Sequence, residues 1–114
     1  MTEENTSRPG LWIGRLDELV EYATDGTVSK TIVDGPEAKI VLFAMSAGQC
    51  LSEHTASVPA SIHVLEGKAS VNLEGKAHEA VPGTYVYMPA ELRHAVDATE
   101  DLVFLLTLHR AGKS

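Results

Sequence analysis

From Thr27 onward the chain is cut into short apolar runs by glycines, prolines and polar turn formers, with no window of helical periodicity between them. Eight runs read as strands: Val28–Val33, Lys39–Ala44, Ile62–Leu65, Ala69–Leu73, His78–Val81, Tyr85–Met88, His94–Ala98 and Leu102–Leu108. Many short strands with tight turns point to a sandwich or a barrel. Leu65-Glu66-Gly67-Lys68 recurs as Leu73-Glu74-Gly75-Lys76, and the segment between them alternates Ala69, Val71 and Leu73, as a strand with one buried face does. Two turns eight residues apart make a meander.

Two runs break that alternation. Ile40–Met45 and Leu102–Leu108 are apolar at nearly every position, so both faces of these strands avoid water. In a small antiparallel barrel one face has the interior. The other needs a cover, from the N-terminal segment or from a second subunit, and a homodimer is the expected state. Upstream, residues 1–10 are polar and read as a flexible lead-in, with residues 11–114 forming one barrel domain. Leu16, Leu19 and Val20 have helical spacing and Asp17 is placed to cap, so at most a short helical turn is expected there.

Charge and cysteine usage narrow the setting. A net charge of −7 opposes a phosphate backbone, which argues against nucleic acid as a partner. No apolar run approaches the roughly 20 residues of a membrane helix, and Met1–Gly10 lacks the basic start and apolar core of a signal peptide. The single Cys50 has no internal partner for a disulfide, so a reducing cytoplasm is the expected location.

Two punctuated blocks, Gly48-x5-His54-x12-Gly67 and Gly83-x5-Pro89-x4-His94, resemble the paired signature of the cupin superfamily, in its small single-domain form. The family's first block runs Gly, five residues, His-x-His, three or four residues, Glu, six residues, Gly. Here Gly48, His54 and Gly67 fit, while Ala56 and Ala60 stand where the second His and the Glu would be. The second block runs Gly, five residues, Pro-x-Gly, two residues, His, three residues, Asn. Gly83, Pro89 and His94 fit, and Glu91 and Ala98 replace Gly and Asn. The resemblance implies an all-β jelly-roll β-barrel (a double-stranded β-helix) whose full site holds a divalent metal through three His and one Glu. This chain keeps two of the four, and His54 and His94 are the candidate metal ligands. Neutral imidazoles suit Fe, Mn, Ni, Cu or Zn, but two of them completed by water make a weak site.

Other residues add little to that pair. Cys50 shares strand parity with His54 but lies roughly 13 Å away along an extended strand, so it reads as a small buried apolar residue. His63 has the parity opposite to Ala60 and is expected on the outer or subunit-facing side of the barrel, unless a bulge near Pro59 shifts the phase. His78 is expected in solvent, and His109 at the end of the last strand. Glu53 has the wrong parity; Glu91, in a loop, is the one carboxylate retained as an acid, base or ligand. No serine lies in a Gly-x-Ser-x-Gly elbow, and no phosphate loop is present.

Two functions follow. The first is a small metal-dependent enzyme, of oxygenase or isomerase type, acting on a small molecule inside the barrel. The alternative is a non-catalytic small-ligand-binding or interaction module without metal, its pocket lined by Ala56, Ala60, Ile62 and Val64. Both stay open at the level of sequence.

Overall fold

The computed structural model describes residues 8–111. The lead-in expected over residues 1–10 falls mainly on residues 1–7, which lie outside the described residues, as do residues 112–114. After a 3-10 turn at Leu16–Glu18 the described chain forms nine strands: β1 (Thr27–Asp34), β2 (Ala38–Met45), β3 (Cys50–His54), β4 (Ala60–Glu66), β5 (Ala69–Leu73), β6 (Lys76–Ala80), β7 (Tyr85–Met88), β8 (His94–Ala98) and β9 (Leu102–His109). They build a five-stranded sheet, order β1-β2-β9-β4-β7, and a four-stranded sheet, order β3-β8-β5-β6. Every pairing is antiparallel. This is the expected all-β jelly roll. All eight runs read from the sequence are strands, with bounds moved by no more than two residues. The ninth, β3, was not among them, because an exposed edge strand with Leu51 as its one half-buried residue carries no apolar alternation.

The 3-10 turn differs from expectation in one detail. Arg15, not Asp17, occupies the position before the turn, and no side chain caps it. Asp17 lies inside the turn and accepts the Arg15 guanidinium at 3.1 and 2.6 Å. From inside the turn its carboxylate is engaged by Arg15, two residues upstream, in a charge-assisted pair.

The two non-alternating runs, β2 and β9, pair along their whole length, from Ala38 opposite His109 to Met45 opposite Leu102. Their inward residues fill the space between the sheets, where Phe43 stacks on Phe104 with centroids 4.9 Å apart, and Met45, Leu102, Ile62, Val71, Met88 and Val96 close around them. On the outer face Leu42, Ala44 and Val103 are also buried, under Leu19 and Val20 of the N-terminal segment and beside Ile32, Leu65 and Leu105. The double-sided apolar pattern thus has two causes, the barrel core on one side and the chain's own N-terminal segment on the other.

Two turns fix the register that places the site. Glu74 and Gly75 (φ 54 and 85) form the two-residue loop between β5 and β6, the mirror-image turn whose twist matches a hairpin. Gly67 (φ 84) opens the two-residue β4–β5 connection against the backbone of Asp101, which a side chain at position 67 would strike. This contact holds the β4–β5 turn against the β8–β9 turn.

Candidate metal-binding site

The site begins with strand alternation on β8. His94, Val96 and Ala98 point into the barrel, and Ala95 and Asp97 point away. On the neighbouring strand Leu51 faces Val96 and packs on the core, so simple alternation would send Glu53 inward and His54 outward. A bulge between Leu51 and His54 reverses the phase, and His54 comes directly opposite His94. The two rings meet with centroids 4.3 Å apart, tilted by 58°. His94 is buried at 5% exposure, whereas His54 lies at the open edge of the sheet.

The same bulge corrects the expectation for Cys50. It pairs with the outward Asp97 and is exposed, not buried; its parity is that of the outer face, not of His54. A one-residue insertion in the strand is the physical reason for both.

Hydrogen bonds fix the chemical state each imidazole presents. Nδ1 of His94 lies 2.9 Å from the carbonyl oxygen of Leu92, and Nδ1 of His54 lies 2.8 Å from that of Ser52. A carbonyl only accepts, so Nδ1–H is the donor in both rings, and in the neutral imidazole the lone pair is then on Nε2. Two adjacent histidines, each held by its own backbone carbonyl two residues upstream, offer Nε2 as ligand atoms. Backbone bonds of this kind orient histidines at metal sites.

The loops bearing the pair are tied down. The Glu91 N–H donates to the Ala56 carbonyl at 2.8 Å, joining the segment after β3 to the segment before β8. Just ahead of His94, the Arg93 N–H and guanidinium donate to the two carboxylate oxygens of Glu74 at 3.0 and 3.2 Å, and the Glu74 N–H donates back to the Arg93 carbonyl. The Arg93 N–H, and after it the guanidinium, hold the Glu74 carboxyl below the usual glutamate range.

Glu91 is exposed and left-handed (φ 67), a backbone shape that glycine adopts far more readily than glutamate. Among the described residues no group of three or more His, Cys, Asp or Glu side chains comes together to hold a metal, so neither Glu91 nor Glu53 joins the two histidines as a third ligand. The apolar lining expected for a metal-free pocket is mostly closed core: Ala60, Ile62 and Val64 are 2%, 2% and 1% exposed, and Ala56 is half-buried. Two surface cavities of about 350 and 370 Å³ are found by Trp12 and Pro36 and by Leu16 and Leu65; neither is lined by His54 or His94.

The remaining histidines stand apart. His63 alternates with the inward Ile62 and Val64 and lies on the outer face, edge-on to Tyr85 at 5.9 Å. His78 is exposed on β6. His109 ends β9 as expected, but its Nε2 also lies 2.7 Å from the hydroxyl of the buried Ser61, a contact with no signal in either local sequence.

Residues 41–108 match the family model described as Cupin domain. No curated protein matches the chain. Among solved structures, a conserved protein of unknown function from Streptococcus pyogenes is 24% identical with a TM-score of 0.80, covering 96% of this chain and 94% of that one, a likeness of fold alone. An RmlC-like cupin protein from Desulfovibrio desulfuricans is 27% identical (TM-score 0.79; 87% and 96% covered). A Cupin 2 conserved barrel domain protein from Leptotrichia buccalis is 32% identical (TM-score 0.77), covering 82% of this chain but 46% of its own length.

Proposed function

This chain belongs to the cupin domain family, and on that premise we propose that it binds a divalent metal ion weakly through Nε2 of His54 and Nε2 of His94, together with a small molecule. The observation that supports this reading is the matched pair of Nδ1–H bonds to the Ser52 and Leu92 carbonyls, which leaves both Nε2 lone pairs free on facing strands. The donor set fits Fe, Mn, Ni, Cu or Zn, all of which accept neutral imidazole. A bound ion would supply a Lewis acid that polarises an oxygen of the small molecule, the chemistry an oxygenase or isomerase needs.

The chain's own residues do the rest. His94, buried and strapped through Arg93 to Glu74, is the fixed ligand; His54, exposed on the edge strand, is the adjustable one. With methyl groups at Ala56 and Ala60, affinity falls below that of a three-ligand site. The same reading includes a homodimer in the cytoplasm. Among the described residues no helix is long and apolar enough to cross a membrane.

Long-range 15N NMR of the imidazoles tests the assignment. Before metal is added, His54 and His94 should both show the Nδ1–H tautomer, and zinc should then shift the two Nε2 resonances together while leaving His63 and His78 in place. A zinc response confined to the other histidines would refute it.

A further inference from the structure

The outer face of the five-stranded sheet is covered over only part of its width. Leu19 and Val20 lie across Leu42, Ala44 and Val103, at the β2 side. Towards the β7 edge the described chain places nothing comparable, and Tyr85 and Tyr87 stand 60% and 59% exposed. The register makes this region a grid. Tyr87, Ser61 and Thr107 stand in one row across β7, β4 and β9, and Tyr85, His63 and Leu105 in the next. Each tyrosine ring rests against a histidine, Tyr85 on His63 at 5.9 Å and Tyr87 on His109 at 5.5 Å, and His109 is itself bound to Ser61.

Charge distribution says what can cover such a face. The consecutive strands β9, β4 and β7 carry one formally charged side chain, Glu66 at the end of β4, in a chain that is 22% charged. We propose that this grid is the two-fold contact surface of a homodimer. The proposal rests on the homodimer named in the preceding reading and is independent of the metal pair.

A second copy is the occupant the charges favour. Each chain carries −7, so two copies repel except where neither presents an acid, and this face presents none in its grid. A cationic partner would find no carboxylate to pair with there, and a nucleic acid would find no Lys or Arg. An identical face brings aromatic surface, hydroxyls and imidazoles to meet their own copies, the composition of an interface core depleted in charge and enriched in tyrosine. Rings already resting on His63 and His109 lose little freedom on docking. Aromatic side chains bury roughly 150–250 Å² each when fully covered; with 60% and 59% of their surface still exposed, Tyr85 and Tyr87 supply about 200–300 Å² of the roughly 800 Å² per partner that a stable contact needs, and half-buried His63, Leu105, Thr107 and His109 add to it.

Sedimentation velocity of the untagged full chain across micromolar concentrations tests this, on wild type, Tyr85→Glu/Tyr87→Glu and Trp12→Glu, with circular dichroism to confirm folding. Trp12 is the control, being partly exposed but outside the grid. The wild type and Trp12→Glu should be dimers. The double variant should be a folded monomer, its dimer dissociation constant raised at least ~100-fold, as expected for losing two central anchors in each copy. Should it misfold, His63→Asp places a charge in the Tyr85 row from a different strand and should have the same effect. A folded double variant that stays dimeric, or dimer loss caused by Trp12→Glu alone, overturns the assignment of this face and leaves the homodimer standing; a wild type that is monomeric throughout overturns both.

Discussion

Gly67→Ala should be far more damaging than any other glycine substitution of its kind in this chain, and the reason is geometric. An added Cβ would lie 1.9 Å from the Asp101 carbonyl oxygen, 2.8 Å from its carbon and 3.0 Å from the Leu102 Cα. Reaching ordinary contact at 3.4 Å means moving backbone by about 1.5 Å, with no flexible side chain to absorb it. Leu102, the next residue, is fully buried, so the displacement is felt in the core. A left-handed φ costs a non-glycine residue about 1–2 kcal/mol, and forcing a packed region apart adds about 1–3 kcal/mol. The sum, about 2–5 kcal/mol, is a large fraction of the stability of a small domain and lowers Tm by about 8–30 °C. Gly48→Ala and Gly83→Ala share the backbone term (φ 92 and 96) but meet nothing within 4 Å, so each should lose about 1–2 kcal/mol. Urea unfolding of the three variants, with unchanged m-values, separates the two contributions. Equal losses at positions 48, 67 and 83 would refute the close approach of the β4–β5 and β8–β9 turns.

Other expectations follow from particular residues. Glu91→Gly relieves a left-handed glutamate and should stabilise the fold by about 0.5–1 kcal/mol in urea unfolding; a loss of stability would show that its side chain holds something. The Glu74 carboxyl, accepting the Arg93 N–H first and the guanidinium second, has a lowered folded pKa, so its contribution is present above the usual glutamate range and disappears as pH falls through that lowered value. A carboxyl 13C titration should give a midpoint below that of exposed glutamates, only partly restored by Arg93→Ala because the backbone bond survives; an ordinary midpoint in the wild type contradicts the strap.

The legible part of the fold was the part that buries apolar surface. The runs now seen as β2 and β9 announced two covered faces, and Gly67 and Gly83 marked turns whose positive φ the structure shows. The histidine pair was legible through the two punctuated blocks. What lay beyond reach depended on partners across the sheet. The bulge between Leu51 and His54 leaves no mark in composition, yet it decides that His54 points inward and Cys50 outward. The hydrogen bond between Ser61 and His109 joins residues 48 positions apart, and Tyr85 and Tyr87 read as ordinary strand residues until the register set them beside His63 and Ser61. The 3-10 turn shows the same dependence, since it begins one residue before Asp17 and the Asp17 carboxylate pairs with Arg15.

The measurement that bears most directly on the metal pair is calorimetric titration of untagged, chelator-treated protein with Zn²⁺, Mn²⁺ and Ni²⁺, on wild type beside His54→Ala and His94→Ala. One ion per chain, bound more weakly than at a three-ligand centre and lost in both variants while both remain folded, is the predicted result. A wild type that takes up none of these ions, or variants that bind them as the wild type does, would contradict the assignment of His54 and His94 as metal ligands.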